Sequence, residues 1–182
     1  MTAKMLAVIA RRPGGVDVLE VVEVPRPSCR PDRILVRNFA AALNRADILQ
    51  RRGLYPPPPG ESEIPGLEFA GEVAEVGDLV RGWRRGDRVC GLVGGGAYAE
   101  FVEVDPRCAA PIPDHLSFDA AAAVPEAFCV AGETLLELAG LREGESLLVH
   151  AGASGIGTAA IQLARHRGAR VLATSRSAAK LG

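Results

Sequence analysis

The eight residues His150-Ala151-Gly152-Ala153-Ser154-Gly155-Ile156-Gly157 carry the pattern in this chain best suited to chemistry. Glycines at a strand-to-helix turn let the backbone approach a pyrophosphate closely. The helix that follows presents unpaired N–H groups and a partial positive charge to it. Gly152, Ala153, Ser154, Gly155, Ile156 and Gly157 are therefore candidates for holding phosphate oxygens. The string is not the strict G-x-G-x-x-G, and by itself it also describes a tight turn without a ligand. Its place between an apolar strand and an amphipathic helix favours the phosphate reading.

A second segment bears on the kind of dinucleotide. A site that selects NAD usually has Asp or Glu at the end of the next strand, to accept from the ribose 2′-OH. Here that end reads Thr174-Ser175-Arg176-Ser177-Ala178-Ala179-Lys180, without an acid, and Ser175 stands 18 residues beyond Gly157. Arg176 and Lys180 can pair with a phosphate dianion, which favours NADP(H). The alternative is that both cations are simply solvated at a helix start.

Other chemistry finds less support. Cys29, Cys90, Cys108 and Cys129 lie 61, 18 and 21 residues apart, with no CxxC, and the histidines are His115, His150 and His166. A structural zinc site needs closely paired ligands, so isolated buried thiols are expected and no metal site. The 182 residues include 21 basic and 22 acidic side chains and are 48% hydrophobic, a balance that excludes intrinsic disorder and gives no basic field for nucleic acid. No apolar run approaches the roughly 20 residues of a membrane helix. Met1-Thr2-Ala3-Lys4 leads straight into strand-like sequence with no secretory signal, so a cytoplasmic protein is expected.

Two textures supply the elements that must position these groups. Up to about residue 113 the chain reads as short strands, 18–24, 34–39, 71–76 and 98–104, cut by breakers at Arg12-Pro13-Gly14-Gly15, Pro56 to Gly60 and Gly94-Gly95-Gly96. One short helix, 44–51, interrupts them. With aromatics at only 4%, the cores must be aliphatic. From Ser117 the pattern changes. Ser117 caps a helix whose first turn holds Asp119, followed by Ala120 to Val124; Pro125-Glu126 opens a longer helical run through Leu138, and Gly140 stops it. Then come a strand at 146–150 of the kind buried on both faces, the glycine turn, a helix at 158–166 ended by Gly168, and a second buried strand at 170–174. Strand, turn, helix and strand make one βαβ unit.

At Ala42-Leu43-Asn44-Arg45-Ala46-Asp47, Arg52-Gly53-Leu54-Tyr55-Pro56-Pro57-Pro58, Pro65-Gly66-Leu67-Glu68-Phe69-Ala70-Gly71, Pro125-Glu126-Ala127 and the Ala151 to Gln162 turn and helix, the chain resembles the zeta-crystallin-like NADPH:quinone oxidoreductases. These are zinc-free members of the medium-chain dehydrogenase/reductase superfamily. The resemblance implies an α/β fold with a GroES-like β domain at 1–116, followed by the first βαβ part of a Rossmann domain at 117–182, and an active site between them. It implies metal-free hydride transfer from NADPH to a quinone. Zinc-dependent relatives place Cys where this chain has Asn44 and His where it has Leu67, and neither residue here is a useful zinc ligand.

The same resemblance implies site residues. Asn44 lines the nicotinamide cleft and bonds substrate or ribose, Tyr55 orients or polarises the quinone carbonyl, and Ser154 bonds a phosphate oxygen or assists at the quinone. Gly152, Ala153, Ser154, Gly155, Ile156, Gly157, Ser175, Arg176 and Lys180 serve the cofactor. Positioning of donor and acceptor supplies most of the acceleration in such chemistry. Two departures from the family stand out: Val130-Ala131-Gly132 replaces a Thr-Ala-aromatic segment near the nicotinamide, and the chain reads as truncated after its first βαβ unit. Family members dimerise through the Rossmann sheet, carried here only in part. The alternatives are an enoyl reductase of the same superfamily, or a non-catalytic remnant that binds NADPH or a partner.

Overall fold

The computed structural model of the protein describes residues 3–180, so the outermost ends of the two expected domains, 1–2 and 181–182, lie outside the described residues. The chain divides into two compact units, Met1–Pro125 and Glu126–Gly182.

The first unit is built on antiparallel strands. A hairpin pairs β1 (Lys4–Ala10) with β2 (Leu19–Pro25), Lys4 facing Pro25 and Ala10 facing Leu19. A five-stranded sheet contains β3 (Ile34–Ala41), β4 (Glu68–Val76), β5 (Arg88–Leu92), β6 (Phe101–Val104) and β7 (Ala109–Pro111), in the order β6-β3-β4-β5-β7. The hairpin is tied to the loop before β6 through Val8 N–H to Tyr98 O at 2.8 Å and Glu100 N–H to Leu6 O at 3.0 Å. β-Branched residues at alternate positions, Ile34 and Val36 on β3 with Val102 and Val104 on β6, turn one face inward around Phe69, Val73 and Val89. β3 and β4 approach so closely at their bulge that a Cβ on Gly71 would come 2.0 Å from the Arg37 carbonyl oxygen.

Two short helices decorate this sheet. α1 (Arg45–Arg51) follows β3, starting from Asn44 as its cap. α2 (Phe118–Ala122) is capped by Ser117, whose Oγ accepts the Ala120 N–H at 3.2 Å. Ala121 and Ala122 pack against Ala70, Cys90 and Ile112, and Phe118 stacks on Phe39 at 4.8 Å. Because α2 buries its apolar face on the first unit's sheet, the compact units divide after Pro125, whereas the change of sequence texture placed the boundary at 116/117.

The second unit takes in α3 (Pro125–Gly132) from its second residue onward, prolonged by a π-helical turn at Glu133–Leu138, then β8 (Ser146–Val149), α4 (Gly155–His166) and β9 (Arg170–Ala173). β8 and β9 run parallel, Ser146 beside Arg170 and Val149 beside Ala173. The core is small and alanine-rich: Ala131, Leu135, Ala159, Ala160 and Ala164, with Leu147, Val149 and Val171 packed against it. Small side chains let α4 lie close over the sheet, the arrangement a βαβ crossover requires.

Two expectations are corrected. The strands are not buried on both faces, since Leu148 and Leu172 are 53% and 51% exposed while Leu147, Val149 and Val171 face the helices. Among the described residues the helices cover one face of this sheet, and period-2 alternation sends every second residue to the other. Nor are the cysteines uniformly buried. Cys90 is, on β5, and Cys29 is half-buried, but Cys108 and Cys129 are exposed.

Candidate active site

In the second unit the glycine turn is closed by a short hydrogen-bonded circuit. Gly152 N–H donates to Thr174 O at 3.0 Å and Thr174 N–H to Val149 O at 3.0 Å, so the end of β9 supports the turn that leaves β8. Ala151 takes φ 55°, the left-handed region in which a Cβ is strained, and its carbonyl accepts the Ser154 N–H at 2.9 Å. Ser154 caps α4, its Oγ accepting the Gly157 N–H at 3.0 Å. That cap begins the helix at Gly155, three residues before the expected start at Thr158, so Gly155, Ile156 and Gly157 form its first turn, where backbone N–H groups lack intrahelical acceptors.

The two buried glycines of the turn are there for space. A Cβ on Gly157 would lie 2.5 Å from Ala151 O and 2.9 Å from the Gly152 backbone, and one on Gly152 would lie 2.7 Å from Ala173 Cβ. At Gly155 a Cβ would meet nothing within 4 Å. Above the turn lies a groove of about 470 Å³ lined by Ala151, Ala153, Ser154, Thr174, Ser175, Arg176, Ser177 and Lys180. Of the predicted cofactor residues the groove thus gathers Ala153, Ser154, Ser175, Arg176 and Lys180. Gly152 and Gly157 are buried in the turn, and Ile156 is 47% exposed on α4.

The donor set suits a dinucleotide phosphate. The lining includes two cations, both exposed, and no carboxylate. The Ser175 hydroxyl accepts the Ser177 N–H at 3.2 Å, which holds the segment bearing Arg176 in a turn. His150, just after β8, has Nδ1 3.1 Å from the hydroxyl of Thr174, just after β9, and so ties the two strand ends together from the side chains.

In the first unit, Asn44 lies at the head of α1 within a buried polar cluster. Its backbone N–H donates to Asp47 Oδ2 at 2.6 Å, and its side-chain amide donates to Glu68 Oε1 at 2.6 Å. Asp47 and Glu68 are 6% and 2% exposed. The Tyr98 hydroxyl donates to the same Asp47 oxygen at 2.8 Å. Burial, and then the neighbouring Asp47 carboxylate, push the Tyr98 phenol far above its ordinary value, so it remains a donor. Leu67 is buried and offers no donor atom.

Tyr55 stands apart from this cluster. It follows the end of α1, is 46% exposed, and has no hydrogen bond to Asn44 among the described residues. Sequence reasoning singled out Asn44 but missed Asp47, Glu68 and Tyr98. The signal for Asp47 was its place three residues after a helix-capping asparagine; for Glu68 it was a charge inside the apolar run Ile64 to Ala70. Tyr98 offered none, since only the fold brings it to Asp47.

Comparison with known proteins adds to this geometry. Residues 30–114 match the alcohol dehydrogenase GroES-like domain. The chain is 43% identical over 166 residues to the NorB protein of the spectinabilin polyketide synthase system of Streptomyces orinoci, taking in 89% of this chain and 7% of NorB. The quinone oxidoreductase of Coxiella burnetii superimposes with a TM-score of 0.85 at 34% identity, over 95% of this chain and 57% of that one. The CurK enoyl reductase does so with a TM-score of 0.89 at 29% identity, over 97% and 55%. The chain therefore spans a little over half the length of these two structures and a small part of NorB.

Proposed function

From its membership of the medium-chain dehydrogenase/reductase superfamily, through the GroES-like domain, we propose that the chain forms the substrate domain and first cofactor-binding part of an NADP(H)-dependent quinone reductase. The observation that carries the cofactor choice is the groove beside Ser154, where Arg176 and Lys180 stand without a carboxylate among the lining residues. A ribose 2′-phosphate finds two cations there, whereas a 2′-OH finds no carboxylate acceptor.

When bound, NADPH supplies the hydride. The chain's own residues hold and orient. The first turn of α4, with Gly157 close under Ala151, presents backbone N–H groups to a pyrophosphate, and the Ser154 hydroxyl bonds a phosphate oxygen. Asn44 offers its amide to substrate or ribose. Tyr55, 46% exposed, orients the acceptor carbonyl. Hydride arriving at a quinone places charge on oxygen, and a hydrogen-bond donor held near that oxygen lowers the barrier. Asn44 and Leu67 give no ligand set for a metal that could do the same.

A second reading, an enoyl reductase, is favoured by the 43% identity to NorB of a polyketide synthase system and by the superposition on the CurK enoyl reductase. Both acceptors are conjugated carbonyls that take hydride in the same way, so the test is acceptor preference. Purified protein is titrated with NADPH and NADH by fluorescence, then assayed for NADPH oxidation with p-quinones and with enoyl thioesters. NADPH binding tighter than NADH by roughly tenfold or more, as one charge-assisted contact provides, together with faster turnover of quinones, supports the proposal. Faster turnover of enoyl thioesters selects the second reading. A preference for NADH overturns the cofactor assignment.

A further inference from the structure

Glu68 opens β4 in an otherwise apolar stretch and is 2% exposed, yet the roles above make no use of it. Its Oε1 accepts the Asn44 side-chain amide at 2.6 Å. The backbone N–H of the same asparagine goes to Asp47 Oδ2, which Tyr98 also addresses. Two buried carboxylates hold Asn44, Asp47 through its main chain and Glu68 through its side chain, and the side chain also faces the Asp47 backbone N–H in a capping box. The close fit extends to the next layer: Gly66 has φ 100°, and a Cβ there would lie 2.5 Å from the Tyr98 ring.

An asparagine amide has two ends of almost the same shape, one carbonyl oxygen and one NH2. Packing alone does not distinguish them, and a neighbour that both donates and accepts would take either. A carboxylate only accepts. Glu68 therefore demands the NH2 end of Asn44, and the carbonyl Oδ1 and the second N–H must take the remaining directions. We infer that Glu68 is a positioning residue whose carboxylate selects one of the two amide orientations of Asn44, and so decides where donor and acceptor stand on the residue that meets the substrate. The inference rests on the proposed role of Asn44 at the substrate, and it adds the group that makes that role directional.

The test uses Glu68→Gln, which keeps the side chain's shape and lets it donate as well as accept. In protein labelled with 15N at asparagine, the wild-type Asn44 amide is expected to give one pair of proton resonances. The proton facing Glu68 should be shifted downfield and slow to exchange, while E68Q should show two sets or a pair collapsed toward ordinary shifts. In turnover, E68Q and N44A should each lower kcat by about tenfold, the scale of one orienting hydrogen bond. The double variant should be no worse than N44A alone, because both remove the same arrangement. Two sets of Asn44 amide resonances in the wild type, an unchanged pair in E68Q, or losses that add fully in the double variant would overturn the inference. If N44A turns over as the wild type does, the reading of Asn44 at the substrate fails, and the amide resonances alone decide whether Glu68 orients it. The wild-type spectrum keeps the inference testable even if E68Q folds poorly.

Discussion

Alanine in place of glycine at two positions of one helical turn should act with opposite sign. At Gly157 the new Cβ would fall 2.5 Å from Ala151 O and 2.9 Å from two Gly152 backbone atoms, all main chain. Comfortable contact needs roughly 3.5 Å, so the turn must open by close to an ångström, and overpacking of that kind costs about 1–3 kcal/mol. At Gly155 nothing lies within 4 Å and the backbone is helical, so alanine mainly restricts the unfolded chain, a gain of about 0.4–1 kcal/mol. For a chain of this size, with about 2–4 °C per kcal/mol, Gly157→Ala should melt roughly 2–12 °C below the wild type and Gly155→Ala slightly above it. Circular dichroism melts measure both. Opening the turn also breaks the Ser154 to Gly157 contact and moves the N–H groups proposed to meet phosphate, so NADPH affinity of Gly157→Ala should fall about tenfold or more. A Gly157→Ala protein that melts with the wild type and binds NADPH as tightly would refute the argument that the turn is packed to its limit for a phosphate.

Arg176→Ala and Lys180→Ala should each weaken NADPH binding by roughly tenfold and leave NADH binding nearly unchanged, and the NADPH preference of the wild type should shrink as salt is raised; fluorescence titration reads both. Tyr98→Phe removes one of two donors to Asp47 Oδ2 and should cost about 1–3 kcal/mol of stability, measured by urea unfolding; an unchanged midpoint would show that the cluster is not closed around Asp47. The Arg107 side chain, its backbone N–H and the nearby Arg33 hold the Asp105 carboxyl well below its ordinary value of 3.8. The folded state therefore gains from ionised Asp105 above that value and loses the gain as pH falls below it, so Asp105→Asn should flatten the acid limb of a melting-temperature profile below about pH 4. Phe69, fully buried at the centre of the five-stranded sheet, should cost about 3–5 kcal/mol as alanine, enough to unfold the first unit in a thermal scan.

Local chemistry was legible wherever a residue acts on its own neighbours. The glycine turn announced itself because close backbone approach excludes side chains, and Gly152 and Gly157 do occupy positions where a Cβ would collide. Ser117 and Asn44 were readable as helix starts, since a cap bonds within its own turn. Ser154 was read only for its place at the phosphate turn, and its cap placed the start of α4 three residues early. β5 and the three-residue β7 were not singled out, because both are short and gain their place only by pairing: β5 lies between β4 and β7.

The sequence by itself determined the two textures, the βαβ unit with its glycine turn and the absence of an acid after the second strand, all of which depend on contacts within a few residues. Tertiary structure decided the rest. It drew α2 onto the first unit, because alanines at 121 and 122 find their apolar partners on β4, β5 and the chain beyond β7. It left Leu148 and Leu172 open, because a strand's burial depends on what lies over each face and not on its composition. It also joined Asn44, Asp47, Glu68 and Tyr98, residues spread over more than fifty positions, into one buried network, which no local pattern encodes because its members meet only once the strands have paired.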